Sequence, residues 1–314
     1  MPQSESPDTV IDDGVEVETM DHCDICRGGT LDKIDAANRI CRCRRCGYVF
    51  VNPRPTQKEI TQFYSRSTQY DPWLAEERGR LALWTRRLKI ILSYKHSGRL
   101  LDVGTGTGHF LAVAREFFSV HGTEVSSSGV RIAHERYALD VSQGELGSVN
   151  LNSKFDVVTL FHVLEHVPSP STTINLCRGL MNTDGVLLIA VPNDINRLRS
   201  VVRRGLASMG LKRYRCPRYH GVSRMRLDGT QHELHLSHFT PSVLRYLLVK
   251  NGLRVSAVTL DPYYVGSRVK DEARARRRYL CYLLLHKALG VNMYDTMLVV
   301  ARPFKGGALG SHSE

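Results

Sequence analysis

The sequence predicts an α/β fold. It is a doubly wound sheet of seven strands with one antiparallel member, preceded by a small N-terminal lobe rich in cysteine. Three observations predict it. A buried-strand pattern, Leu100-Leu101-Asp102-Val103, runs into glycines at 104, 106 and 108 and then into a helical pattern. Apolar strand segments go on alternating with helical ones to about residue 303, as a doubly wound sheet requires. Two C-x-x-C pairs, Cys23/Cys26 and Cys43/Cys46, precede all of this.

At 314 residues the chain has room for one large domain and something small. No apolar run approaches the roughly 18 to 20 residues needed to span a bilayer. The first residues are acidic (Glu5, Asp8, Asp12, Asp13) with no basic stretch leading into an apolar one, so a cytoplasmic location is expected. There, eight cysteines read as metal ligands and core residues rather than disulfides. The formal net charge of +12 points to an anionic partner without choosing among nucleic acid, a phosphate-bearing substrate and a membrane surface.

Residues 1–20 are acidic and unpatterned and are expected to be disordered. Residues 21–52 form the cysteine lobe. Sixteen residues separate Cys26 from Cys43, and two knuckles at this spacing supply four thiolates for a tetrahedral zinc ion. Gly47 permits the turn after the second pair, and Cys41 is spare because Cys41 to Cys46 breaks the knuckle spacing. A lobe this small cannot bury enough core to fold alone, so Zn2+ would be structural and its shell closed. Residues 53–96 form a helical linker in which Leu81, Trp84, Leu88 and Ile91 make an apolar stripe for packing beside the sheet.

The main domain spans 97–305, with a flexible tail at 306–314. Its first strand, Arg99 to Val103, leads through the glycines into a helix from His109 to Phe117. The second ends at Glu124, and Ser126 to Ser128 cap a helix running to Tyr137. A short third strand, Leu139 to Gln143, and a fourth, Phe155 to Phe161, follow; then come a helix from Thr172 to Leu180 and a fifth strand, Val186 to Val191. Thr240 caps a further helix with Pro241 in its first turn, and Asn251-Gly252 ends it. Leu253 to Leu260 and Thr296 to Ala301 close the sheet.

The glycine loop departs from the dinucleotide fingerprint: its third glycine falls one residue early, and His109 stands where that fingerprint wants glycine. With Asp102 two residues before the first glycine, it resembles motif I of class I S-adenosylmethionine-dependent methyltransferases. Glu124, twenty-two residues after Asp102, is a strand-tip carboxylate able to accept from both ribose hydroxyls. The resemblance implies a Rossmann-like sheet and S-adenosyl-L-methionine held by Asp102, Gly104, Thr105, Gly106, Gly108, Glu124, Glu145 and His162. Cys23, Cys26, Cys43 and Cys46, followed by Tyr48-Val49-Phe50-Val51-Asn52-Pro53-Arg54-Pro55, are similar to the ribbon and linker of bacterial methyltransferases that act on surface polysaccharides and modified sugars. The phrase Val163-Leu164-Glu165-His166-Val167 is similar to the post-strand motif of quinone-precursor O-methyltransferases. Those enzymes carry Glu where this chain has His162, a departure at the position tied to quinone specificity and metal dependence. His162-x-x-Glu165-His166 also spells an inverted zinc-peptidase motif, but a strand precedes it and Pro168 and Pro170 cut it short.

A basic lid is expected over 194–239, since Arg197 to Arg226 hold ten Lys or Arg and no acid. The His235-Leu236-x-His238-Phe239-Thr240 segment resembles the family element that closes over the acceptor pocket. His162, His235 and His238 are the candidate bases, because imidazole alone titrates near neutral pH without help. Glu165 is read as orienting a neighbouring histidine and His166 as packing behind the loop. A second basic-apolar stretch, 268–289, suits either peripheral membrane contact or packing on the domain. The leading function is methyl transfer, expected at oxygen, to an anionic small-molecule or carrier-linked acceptor: a sugar, a glycan or a lipid-linked metabolite. RNA methylation is the second reading, with ribbon and lid gripping phosphates, although the Asn/Asp-Pro-Pro-Tyr/Phe signature of amine-methylating enzymes is missing. A non-catalytic ribbon module ranks third, since the intact Asp102, glycine loop and Glu124 argue against a dead domain. Oligomeric state is not legible.

Overall fold

The structure, a computed structural model, describes residues 15–66, 70–211, 233–266 and 271–304. The chain begins with β1 (Val17–Glu18), followed by β2 (Leu31–Asp35), β3 (Ile40–Cys43), β4 (Val49–Val51) and β5 (Arg54–Pro55). Strands β2, β3 and β4 form an antiparallel meander that carries the cysteines. Order begins earlier than the acidic composition predicts, because β1 pairs with β5. Three tertiary contacts hold this stretch. Arg54 Nε donates to Glu18 at 2.7 Å, Thr56 N–H to Glu16 O at 3.0 Å and Met20 N–H to Asn52 Oδ1 at 2.8 Å. Partners more than thirty residues away are invisible to local composition.

The linker supplies α1 (Gln57–Tyr64), α2 (Asp71–Ala75) and α3 (Glu77–Leu92). Trp84, Leu88 and Ile91 are buried on α3, as their spacing predicts, while Leu81 is half-buried. Between them Arg87 is also buried, and it donates two hydrogen bonds, at 2.9 and 2.6 Å, to the Asp261 carboxylate. That pair anchors the linker to the far end of the sheet.

The main sheet follows: β6 (Arg99–Val103), α4 (His109–Ala114), β7 (Ser119–Glu124), α5 (Ser127–Tyr137), β8 (Val141–Gln143), β9 (Phe155–Phe161), α6 (Pro170–Leu180) and β10 (Met181–Pro192). Then come α7 (Leu198–Ser208), β11 (Ser237–His238), α8 (Pro241–Lys250), β12 (Leu253–Leu260), α9 (Glu272–Leu289) and β13 (Thr296–Pro303). Seven strands lie in the order β12-β13-β10-β9-β6-β7-β8, and β13 alone runs against its neighbours. The caps are those read from the sequence: Ser126 accepts from Gly129 N–H and Thr240 from Val243 N–H. Several boundaries move. Helix α4 stops at Ala114, β8 starts at Val141, α6 starts at Pro170 behind its cap Ser169, β10 takes in Met181 to Pro192, and β13 runs on to Pro303.

Period-two alternation sends the strand side chains to two cores. Leu100, Val157, Leu188 and Val300 pack under α3, α4 and α5. Leu101, Val158, Ile189 and Val299 pack on the other face with α6, α8 and the cysteine lobe, whose Ile25, Tyr48 and Phe50 belong to the same cluster. The lobe is therefore a wall of the main core. Lys250 Nζ donates to Ile25 O at 2.5 Å, and Asp24 accepts from Ser169 Oγ at 2.7 Å and Ser171 N–H at 2.9 Å.

The basic stretch divides. Arg197 to Leu211 is described, mostly as α7, whereas 212–232 lie outside the described residues. Its end does not form a free lid: β11 pairs with β4 and completes the cysteine-bearing sheet as its fourth strand. Helix α9 lies against β12, with His286 Nε2 3.0 Å from Val258 O. Among the described residues, no helix is long and apolar enough to cross a membrane.

Candidate active site

A cavity of about 460 Å³ opens at the carboxyl ends of β6, β7 and β9, where open α/β sheets bind their ligands. The glycine loop forms one side. Gly104 has φ +66°, and a Cβ there would lie 2.6 Å from Val163 Cγ2, so backbone and the loop after β9 meet with no room for a side chain. Gly106 has φ +57°, and its Cβ position lies 3.0 Å from the Trp73 ring. Gly104, Gly106, Glu124, Glu145 and His162 all line the cavity.

The other expected cofactor residues stand behind it. A Cβ on Gly108 would meet Leu139 at 2.6 Å and Ala133 at 2.9 Å, so this glycine serves the packing of α4 on α5. Thr105 is buried and donates its N–H to Thr123 O at 3.0 Å, tying the loop to β7. Asp102 is buried and accepts from Thr159 Oγ1 at 2.6 Å. Burial pushes its carboxyl up to about 7, against the opposing hydrogen bonds of Thr159 and Thr105.

Glu124 is held from two sides. Oε2 accepts from Gly106 N–H at 2.7 Å and Oε1 from Ser126 N–H at 2.8 Å. Burial raises its pKa above the ordinary carboxylate value, and the two amides oppose that rise. Tyr70 and Trp73 complete this side, their rings edge to face at 5.3 Å. Sequence reasoning missed both, reading the linker only for its core stripe. The aromatic pair around Pro72, just ahead of α3, is the signal that was available.

The segment after β9 supplies a further part of the lining. His162 adopts φ +59°, an unfavourable conformation for a residue with a Cβ, and donates its N–H to Ala190 O at 2.9 Å. Its Nδ1 lies 3.1 Å from Glu165 Oε1. Glu165 is fully buried; burial raises its pKa, but the facing His166 and His162 outweigh that and leave it below the ordinary value. An ionised carboxylate fixes the proton on His162 Nδ1 and leaves Nε2 as an acceptor. His166 also lines the cavity rather than packing behind the loop. Its Nδ1 donates to Leu234 O at 2.6 Å and lies 3.0 Å from the Tyr64 hydroxyl.

The structure does not bring the three candidate bases together. His162 lines the cavity, whereas His235 and His238 are not among its lining residues. They sit behind it with Asp194, at Nδ1–Oδ2 separations of 3.8 and 3.7 Å. Burial alone would lower His235, but the Asp194 and Glu233 carboxylates raise it to about 10. Its two nitrogens face these carboxylates rather than the cavity, so neither is placed to take a substrate proton.

Away from the cavity, the four cysteines converge. Cys23 and Cys46 Sγ lie 3.6 Å apart, and Cys26 and Cys43 Sγ 3.5 Å apart. Neither separation is a disulfide, and a tetrahedron with zinc–sulfur bonds of about 2.3 Å has edges of about 3.8 Å. Gly28 N–H points at Cys26 Sγ at 3.4 Å, and Gly47, at φ +76°, donates to Cys43 O at 2.9 Å. Cys41 Sγ is directed instead toward Asn52 O. The four thiols therefore fit the metal expected from their spacing.

Residues 74–258, more than half the chain, match the family model described as a methyltransferase domain. The chain is 33% identical over 107 residues to the ubiquinone biosynthesis O-methyltransferase of Haemophilus ducreyi, covering 30% of this chain and 45% of that protein. It is 26% identical over 201 residues to the protein of that name in Xanthomonas axonopodis pv. citri, covering 59% and 74%. The chain spans about half the length of the first curated relatives it matches. A SAM-dependent methyltransferase structure from Thermotoga maritima shares the fold at TM-score 0.50 and 15% identity, covering 77% of this chain and 99% of that one.

Proposed function

The chain belongs to the methyltransferase-domain family, and from that premise we propose that it methylates a hydroxyl oxygen of a small or carrier-linked acceptor, with S-adenosylmethionine as donor. The observation that carries this reading is one cavity lined both by the fixed Glu124 carboxylate under the glycine loop and by His162 with its Glu165 partner. Bound here, S-adenosylmethionine would supply a methyl group activated by its sulfonium. Glu124 would accept from its ribose hydroxyls, and Gly104 and Gly106 would admit it against bare backbone. Glu145, exposed at the cavity wall, contributes a second carboxylate on the cofactor side.

Transfer is an in-line displacement, so the protein acts mainly through proximity and orientation. With donor and acceptor bound, His162 Nε2 would take the acceptor's hydroxyl proton, and Glu165 would stabilise the resulting imidazolium. Oxygen is favoured by the curated relatives named as O-methyltransferases. Cys23, Cys26, Cys43 and Cys46 would hold one structural zinc ion that ties the lobe to the main core.

The test is calorimetric titration with S-adenosylmethionine, followed by transfer of its labelled methyl to nucleotide sugars, phenolic quinone precursors and RNA in parallel. Binding with label appearing on a hydroxyl-bearing small molecule supports the reading. Absence of cofactor binding overturns it, and label on RNA alone replaces the acceptor class.

A further inference from the structure

Behind the cavity, three polar atoms converge with nothing to satisfy them. Asp194 Oδ2, His235 Nδ1 and His238 Nδ1 are buried, and among the described residues none has a hydrogen-bond partner. The Asp194 oxygen lies 3.8 Å from the first nitrogen and 3.7 Å from the second, too far for a hydrogen bond. One ligand atom from each of the three residues lies within 4.8 Å of the other two. His238 is only 3% exposed, and its Nε2 is unpartnered as well, so nothing described compensates the loss of water around this ring.

We propose that Asp194, His235 and His238 form a divalent transition-metal site, separate from the cysteine cluster and placed just behind the methyl-transfer cavity. A tetrahedron with metal–nitrogen and metal–oxygen bonds of 2.0–2.1 Å has edges of about 3.4 Å, so the two edges from Asp194 to the histidines need to close by only a few tenths of an ångström. Two imidazoles and one carboxylate suit zinc, iron or manganese and leave coordination positions open. The chain brings its ligands from rigid places. Asp194 follows β10 in a turn fixed by Asn193, which donates its N–H to Asp295 O at 2.8 Å and its Nδ2 to Asn292 O at 2.9 Å. His238 sits on β11, paired with Val49 of the cysteine-bearing sheet. The ion would therefore pin the segment from Glu233 to His238 to the end of β10. His235 Nε2, turned away from the ion, lies 3.6 Å from Glu233 Oε2, a carboxylate that lines the cavity. A carboxylate of the cavity wall therefore stands beside the outer nitrogen of a metal ligand, where its charge raises that ligand's basicity.

The experiment counts metal. The full chain is loaded with Zn2+, desalted and analysed by plasma mass spectrometry beside Asp194→Asn, His238→Gln, Glu165→Gln and the pair Cys26→Ser/Cys43→Ser. Circular dichroism checks the fold of each. Two zinc ions per chain are expected in the wild type, and one in Asp194→Asn, His238→Gln and the cysteine variant. Glu165→Gln should keep two. With Co2+ in place of zinc, the ion lost from Asp194→Asn should be the one without thiolate charge-transfer absorption. Folded Asp194→Asn and His238→Gln variants that keep the wild-type count overturn the site. Loss in Glu165→Gln instead would move the metal to the neighbouring Glu165, His166 and His235 group. A cysteine variant that keeps both ions would refute the structural zinc alone, leaving this site standing.

Discussion

Gly106 gives its backbone N–H to Glu124 Oε2 at 2.7 Å, so the glycine loop and the tip of β7 are locked together at the cavity wall. Ser126 N–H takes the other oxygen at 2.8 Å, leaving the outer lone pairs for a diol. Replacing Glu124 by Ala should weaken S-adenosylmethionine binding by about 1–3 kcal/mol, the cost of unpairing buried polar groups. Calorimetry reads this directly, and an unchanged affinity would sink the assignment.

Gly104 offers a steric test. Its φ of +66° and the 2.6 Å approach of Val163 Cγ2 to its Cβ position both oppose any side chain. Gly104→Ala should cost about 1–3 kcal/mol in denaturant unfolding and lower cofactor affinity. Adding Val163→Ala should recover part of the stability, because it relieves the contact and leaves the dihedral strain. No recovery in the double variant would show that the clash is not the cause.

Those two positions were legible because the chemistry sits in contiguous residues. The glycine loop, Glu124, the cysteine spacing and the Thr240 cap are all local patterns, and the strand order follows from the alternation of elements. What escaped depends on distant partners. Val17–Glu18 is a strand only because Arg54–Pro55 lies beside it. Arg87, on a face read as apolar, is buried because Asp261 meets it from beyond residue 250. Tyr70 and Trp73 reach the cavity through the fold of the linker. The histidines at 235 and 238 are not in the cavity lining, and His238 sits on β11, whose pairing with β4 is a long-range ladder that no local pattern announces.

Asp102 carries a pH signature. Its carboxyl is pushed up to about 7 by burial, above the unfolded value of about 3.9. The folded state therefore binds a proton that the unfolded state releases, and this group lowers stability as pH rises from about 4 to about 7. Asp102→Asn lacks the burden. The stability of the variant minus that of the wild type should increase across that range, by at most about 4 kcal/mol, and level off near pH 8. Urea unfolding of both proteins at pH 5, 6, 7 and 8 gives the difference, and a flat difference would contradict it.

Loss of the zinc proposed for the cysteine cluster should unsettle more than the lobe. Ile25, Tyr48 and Phe50 share a core with the main sheet, and Tyr48 lies 2.5 Å from Ser237 through its hydroxyl. Without an ion, four thiols stay packed together with nothing bridging them. Cys26→Ser/Cys43→Ser should lower the thermal midpoint by several degrees and expose tryptic sites between residues 21 and 52. An unshifted midpoint would mean the lobe holds by packing alone.

The last prediction concerns the base. His162 and His166 both line the cavity, but their nitrogens are not equivalent. His166 spends Nδ1 on Leu234 O at 2.6 Å, and its Nε2 faces Glu165 Oε1 at 3.7 Å. His162 spends only Nδ1, on Glu165, and its side chain is 30% exposed, so Nε2 is free to meet a substrate hydroxyl. His162→Gln should therefore cost about 10²- to 10⁴-fold in turnover at saturating cofactor, with cofactor affinity kept. His166→Gln should cost far less. Glu165→Gln should lower turnover and move the acid limb of the pH–rate profile downward, since a neutral partner no longer stabilises the imidazolium. Assays with a hydroxyl acceptor across pH 5 to 9 separate the three. If His162→Gln keeps near-normal turnover, the imidazole is no base here and methyl transfer proceeds by proximity and orientation alone.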